Sequence, residues 1–438
     1  MFILGMGIAR RHYNHFLYLL IVALKTYSSI TLLGLFMPNI VNYKQYRLTN
    51  GLEFSLYDSG YPSRAFSADF IVKSGDMYAK SGVAHLLEHS IMEQSLIPKT
   101  AKESRNITPV TITPVTGEDY IYFHVALQEL KYLENFLRFI SRNIFEFQPK
   151  VEFLDQAKSD VLRQIEESES DDEINLDRRL LQELYLETPI RYSVYGDPQT
   201  VKEAGIEDVA TLYRNRFKPR NMKIIITGKL GNFDPIAELV ARYLERYRLD
   251  QEDVPEEHLP LEPPRSYGKF VEEPINSEEG MLVLGHRVPN VYQPDFPASR
   301  ILNVLLGHFH DSALERRLKR ITKRIGSIYN RSLAEAWMEV RSQFEQGSTY
   351  LVLNSIFGEY ARVQLGELYK SEFERAKRAY LVNLTSPLEI VRFEQRGVDL
   401  NSQIALAERV NQEDVIRSAC NYLTLNNTVG VIGIPKTK

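Results

Sequence analysis

The apolar residues change period several times along the chain, and each change marks an element. In YKQYRLTNGLEFSLYD, beginning at Tyr43, apolar and polar positions alternate on both sides of Asn50 and Gly51, which predicts a β-hairpin turning at that pair. AFSADFIVKSGD predicts a further strand, and the HLLEH stretch that follows predicts a helix. DYIYFHVAL reads as a strand, whereas LKYLENFLRFISRNIF spaces its apolar residues three and four apart, the helical interval. A long helix is expected from Pro149 through FQPKVEFLDQAKSDVLRQIEESESDDE, turning strongly acidic towards its end. MKIIITGKLG, residues 222–231, is a buried strand closed by glycine.

A second block repeats the theme loosely. GMLVLGHRVP predicts a strand, ASRILNVLLGHF and DSALERRLKRI predict helices, and STYLVLNSI is strand-like. Between the blocks lies LDQEDVPEEHLPLEPPRSYG, where Pro255, Pro260, Pro263 and Pro264 stand among acidic residues, the composition of a linker. Strands and helices are mixed rather than strictly alternating, which favours α+β. The expected architecture is two structurally related α/β-sandwich halves, each a mixed sheet packed with helices, joined by a linker. The expected division is an N-terminal extension over 1–40, a first domain over 41–248, the linker over 249–268 and a second domain over 269–438.

Composition narrows the function classes. At 438 residues the chain exceeds what one core usually serves, and 44% hydrophobic, 25% charged and 11% aromatic residues are ordinary for a soluble protein. A net charge of -4 argues against a chain built around nucleic-acid backbone. The single cysteine, Cys420, cannot form an internal disulfide; it suits a reducing compartment and reads as a core thiol rather than a nucleophile. A cytoplasmic location is the expectation, with membrane contact only through residues 16–37. FLYLLIVALKTYSSITLLGLFM is long enough to span a bilayer, yet Lys25 near its centre costs about 2.5–3.5 kcal/mol. A signal anchor, an organelle-targeting extension and a true start at Met37 all remain open.

The chemistry concentrates in HLLEH. His85 and His89 stand four apart and project from one helix face, with Glu88 beside them. Neutral imidazoles suit zinc, and a catalytic zinc keeps three protein ligands and one place for water, from which Glu88 would take a proton. Other constellations are weaker. His308, His310 and Asp311 have ligand chemistry but divergent directions. RRLKRITKR, residues 316–324, reads first as a solvated helix face and second as a phosphate-gripping patch.

FIVKSGDMYAKSGVAHLLEHSIM resembles the inverted zinc motif of the pitrilysin, insulinase and mitochondrial processing peptidase family, where a glycine-bearing strand leads into HxxEH. YSVYGDPQTVKEAGIEDVATLYRNRFKPRNMKIIITGKLG is similar to a later family segment, with Gly196, Tyr213, Pro219, Asn221 and Gly228 in order, and LNVLLGHFHDSALERRLKRITKRIGSIY to its second-domain helix. The resemblance implies a zinc-dependent endopeptidase that closes a chamber around extended peptides. Glu88 would be the catalytic base, and His85, His89 and Glu166 would hold Zn2+. Glu166 leaves 76 residues after His89, within the family interval, but matching VLRQIEE to the family pattern puts Gln164 at the ligand position; Gln164 and Glu167 stay open as alternatives. Thr113, where family enzymes carry an asparagine-bearing stretch that here reads TPVT, would bind substrate, as would Arg320, or Lys319, with Tyr329. Chains of this length pair, so a homodimer or a heterodimer with a related subunit is implied. The alternative function is a non-catalytic partner subunit of a heterodimeric peptidase. No nucleic-acid partner is expected.

Overall fold

The computed structural model describes residues 41–58, 66–95, 111–247, 254, 262–264, 267–308, 311–332 and 335–436. The N-terminal extension, with its apolar segment, lies outside the described residues, as do most of the expected linker and His310. No helix among the described residues is long and apolar enough to cross a membrane.

The first half opens with β1 (Asn42–Arg47) and β2 (Glu53–Asp58), which pair antiparallel with Arg47 opposite Glu53. Gly51 at φ 90° makes the expected turn, and the Asn50 side chain accepts from Leu52 N–H at 3.1 Å. Then come β3 (Phe66–Val72), α1 (Val83–Ser95), β4 (Thr113–Thr116), β5 (Ile121–Leu127) and α2 (Leu133–Phe139), which runs on as a π-helical turn to Phe145. The helices α3 (Val151–Glu169), α4 (Asp172–Leu184), α5 (Pro198–Glu203) and α6 (Ile206–Arg216) precede β6 (Met222–Gly228) and α7 (Asp234–Leu244). Asp171 ends the acidic stretch of α3 and caps α4 by accepting from Ile174 N–H at 3.1 Å, so one long predicted helix becomes two.

The second half contains β7 (Lys269–Ile275), β8 (Gly280–Arg287), α8 (Phe296–Asn303), α9 (Ala313–Leu318), β9 (Thr322–Arg331) and β10 (Ala336–Phe344). It continues with α10 (Thr349–Gln364), α11 (Lys370–Leu384), α12 (Pro387–Gln395), α13 (Leu400–Arg409), α14 (Gln412–Tyr422) and β11 (Thr428–Pro435). STYLVLNSI, read as strand-like, lies in α10. Its buried residues Val352, Ile356, Tyr360 and Val363 recur at helical spacing, a pattern visible only beyond the end of the quoted run. Cys420, expected in the core, is exposed on α14.

Both sheets follow one plan. The first is ordered β1-β2-β6-β3-β5-β4 and the second β7-β11-β8-β10-β9. In each, one early strand runs parallel to the last one in sequence (β2 with β6, β7 with β11), and the remaining pairings are antiparallel. Apart from β1, the strands therefore correspond one to one, with β4 and β9 as matching edges and α1 and α8 as matching helices. The α+β architecture of two related halves is the observed one.

Strand alternation gives each sheet two buried faces. Phe54, Leu56, Phe70, Phe123, Ile224 and Ile226 face the helices of the first half, while Tyr57, Ile71 and Ile225 point into the core of the second. The second sheet turns Leu282, Leu284, Met338 and Val340 to its own helices and Val283, Trp337, Val429 and Val431 to Leu176, Leu180 and Leu184 of α4. Gly285 lets α4 come close, since a Cβ there would stand 2.8 Å from Leu180. Reciprocally, α12 lies on the first sheet, where Glu394 accepts from the Tyr57 hydroxyl and from Gln45 and pairs with Lys223. Each sheet is thus enclosed by its own helices on one face and one helix of the other half on the opposite face.

Candidate active site

After β3 the chain makes a tight approach to the turn between β4 and β5. A Cβ on Gly75 would fall 2.3 Å from the backbone of Glu118, and Met77 N–H donates to the Glu118 carbonyl at 2.9 Å. The Asp76 carboxyl accepts from Gly82 N–H at 2.6 Å, and burial pushes its pKa up to about 7. Gly82 has φ +83° and its backbone meets that of Gly196, whose added Cβ would stand 2.5 Å from Gly82 Cα. These two glycines set the start of α1.

The helix α1 places His85 and Glu88 in the interior, at 2% and 1% exposure, with His89 half-buried one turn further on. The two imidazoles face one another with centroids 4.8 Å apart and planes at 63°. Burial lowers the pKa of His85 to about 3, helped by the neighbouring His89, and that of His89 to about 4. Both rings are therefore neutral at pH 7, with lone pairs available to a ligand. Glu88 is shifted the other way: burial raises it to about 8, against the hydrogen bond that Thr116 Oγ1 donates to Oε2 at 2.9 Å.

The helix α3 packs along α1 and decides the third position. Gln164 presents its amide Nε2 3.3 Å from His89 Nε2, within hydrogen-bond reach, while Oε1 of Gln164 and Nδ1 of His85 are buried without a partner. Glu166 is exposed. Two residues further along a helix means a rotation of about 200°, so a register that turns Gln164 inward turns Glu166 away. Glu167, the other alternative, is exposed and pairs with Arg163 at 3.0 Å. Among the described residues no group of three or more His, Cys, Asp or Glu side chains comes together as a metal set. The expected trio of His85, His89 and Glu166 is therefore not assembled. Two imidazoles and a neutral amide do not make the three-ligand set of a catalytic zinc, which draws on Cys, His, Asp and Glu.

The expected substrate contacts also move. Thr113 is paired with His124 and Thr116 with Ile121, so by strand alternation Thr116 shares the α1 side with Phe123, while Thr113 lies on the opposite face. Thr116, at the end of the same TPVT stretch, is the residue that touches Glu88. Tyr329 is buried at 2% exposure in the second core, its hydroxyl donating to the Pro289 carbonyl and its ring 5.8 Å from Phe296. Its side chain packs in that core, with the hydroxyl engaged by the chain's own backbone. Arg320 and Lys319 are exposed in the turn after α9. The basic run around them is largely spent on ion pairs: Arg316 with Glu372, Arg317 with Glu359 at 3.6 Å, Lys323 with Glu279 and Arg324 with Glu173 at 3.0 Å. A run so neutralised is poorly suited to gripping phosphate. At the other end of the site, β4 is an edge strand with no further strand along its outer side among the described residues.

Residues 204–380 match the family model described as Peptidase M16 inactive domain. No curated protein matches the chain. Among solved structures, a protease from Helicobacter pylori is similar at a TM-score of 0.80 and 17% identity, over 91% of this chain and 100% of that one. An M16-like peptidase structure from Alicyclobacillus acidocaldarius, described as putative, is similar at 0.76 and 19%, over 91% and 100%. The periplasmic protease PqqL from Escherichia coli is similar at 0.71 and 13%, over 91% of this chain but 48% of that one, so this chain spans about half of PqqL. The chain has the fold of M16-like peptidases, and part of it is similar to the M16 inactive-domain model.

Proposed function

We propose that this chain is the peptide-holding, non-catalytic member of a paired peptidase of the M16 type, completed by a related subunit. The observation that carries the reading is Gln164: its neutral amide stands beside His89 where a third, anionic ligand is needed. Support for peptide holding comes from β4, which among the described residues is an edge strand beside α1 and offers backbone groups to an extended segment. Support for pairing comes from length, since the chain corresponds to about half of PqqL.

A second reading, a zinc-dependent endopeptidase, is favoured by one specific arrangement, the intact His85, Glu88 and His89 with Thr116 orienting the carboxyl. On that reading His85 and His89 would hold the metal, which would supply an activated water, and Glu88 would accept its proton. The two readings separate in one experiment. The purified chain, supplied with zinc, is incubated with a fluorescent library of unstructured peptides and followed by polarisation and mass spectrometry. Binding without cleavage is expected, and cleavage that disappears in Glu88→Gln would replace the first reading with the second.

A further inference from the structure

The correspondence between the sheets gives the HxxEH site a counterpart in the second half. There, Ser327 of β9 donates to Asn303 Oδ1 of α8 at 2.6 Å, as Thr116 of β4 donates to Glu88 of α1. Arg300 stands three residues before Asn303, the interval that separates His85 from Glu88. The surroundings are cationic. Glu389 of α12 contacts Arg300 at 3.3 Å, Arg331 at 2.6 Å and Arg392 at 2.9 Å, so one carboxylate faces three guanidinium groups. Arg396, also buried, spends its donors on the backbone carbonyls of Ser332, Arg331 and Arg392. His308 lies in the same region, its pKa lowered to about 4 by burial and then by Arg300, so it is neutral and adds no further positive charge.

The side chains of Arg300, Arg331 and Glu389 are 4%, 2% and 2% exposed, and rings enclose the cations: Tyr329 lies 5.0 Å from Arg300, and Phe393 4.9 Å from Arg331. Four atoms in this cluster are buried without a hydrogen-bond partner: Nε of Arg300, Nε and Nη1 of Arg331, and Nδ2 of Asn303. All four are donors; the Tyr380 hydroxyl, whose ring lies 5.5 Å from Arg300, is buried without a partner as well and is a neutral group there able to accept. An unsatisfied buried donor is costly, more so when charged, and native interiors leave few of them. A surplus of donors and of positive charge in one place calls for an acceptor that carries negative charge.

We propose that the cluster of Arg300, Asn303, Arg331 and Glu389 binds a small monovalent anion of halide or carboxylate size. The anion accepts from the free guanidinium and amide N–H groups and balances the arginine charge that Glu389 leaves uncompensated. This inference stands independently of whether the first half binds zinc.

The test uses the full chain. Melting is followed against chloride, bromide and acetate, each compared with gluconate, a bulkier anion, at equal ionic strength. A saturable rise in Tm of a few degrees at about a hundred times the Kd is expected with the small anions alone. The larger of the halide and acetate responses identifies the better source. Crystals grown in bromide should give an anomalous peak between Arg300 and Arg331. Asn303→Asp supplies an internal carboxylate, so it should raise the anion-free Tm and lose the response. A wild-type Tm that follows ionic strength whatever the anion, or a bromide map with no peak there, overturns the proposal.

Discussion

The two helix and edge-strand pairs, α1 with β4 and α8 with β9, share a framework and differ in what fills it. In the first, a hydroxyl on the edge strand holds a carboxyl, and two neutral imidazoles complete the face. In the second, the hydroxyl holds an amide, and the remaining space is taken by arginines bound to Glu389 and shielded by aromatic rings. In both halves an edge-strand hydroxyl thus donates to a polar side chain of the packed helix. Which chemistry results depends on a handful of side chains. Gln164 carries the first site part of the way towards the second, because it removes the one ligand charge that a metal would need from α3.

The largest effect should come from breaking the charge network of the second half. Glu389→Gln leaves Arg300 and Arg331 buried with no anionic partner from the protein, and a loss of about 3–5 kcal/mol is expected in urea unfolding. A loss under 1 kcal/mol would mean that the network is not what holds this half together. The shared plan also depends on helices exchanged between halves. Leu180→Ala opens a cavity between α4 and the second sheet and should cost about 3 kcal/mol, although residue 180 lies in sequence among the elements of the first half. An unchanged stability would contradict the reciprocal packing.

A pH profile sharpens the contrast at the first site. In chelator, the folded chain keeps a proton on Glu88 to about pH 8, whereas a free glutamate releases it near 4.5. The folded state binds more protons across that interval, so the stability this group contributes is full below pH 4.5 and is lost as pH rises through about 8. His85 and His89 behave oppositely: their stability is present above the ordinary histidine value and lost as pH falls towards 4 and then 3. Urea midpoints at pH 7 and pH 9 should therefore differ more for wild type than for Glu88→Gln; equal differences would show an ordinary Glu88. The smallest effects should be matched ones. Thr116→Val and Ser327→Ala each remove one hydroxyl donor and should each cost about 1 kcal/mol. A large asymmetry would show that the two hydroxyls contribute unequally to their halves.

Much of the first half was legible in the sequence because its elements are short and strongly periodic: the hairpin at Asn50 and Gly51, β3, α1, β5 and β6. STYLVLNSI misled because a short apolar run does not distinguish a strand from one side of a buried helix; the deciding residues, Tyr360 and Val363, come after it. Within the site, His85, Glu88 and His89 could be read directly, since four-residue spacing is a local property of a helix. The third position was harder, because counting residues admits both Gln164 and Glu166, and only the packing of α3 on α1 fixes which side faces inward. That Thr116 rather than Thr113 meets Glu88 has a related cause. Neither strand alternation nor sheet register can be assigned an absolute face until the sheet has a core. The charge network of the second half was invisible, as Arg300, Arg331 and Glu389 are far apart in sequence and meet only through tertiary packing.

The central claim is that Gln164 leaves the HxxEH site short of a ligand. Zinc affinity of wild type and Gln164→Glu, measured by competition with a chromogenic chelator, tests it most directly. A carboxylate restored beside His89 should tighten zinc binding by about a hundredfold or more and bring the purified variant to about one zinc per chain, with wild type well below that. Stoichiometric, tight zinc in wild type, left unchanged by the substitution, would contradict the account.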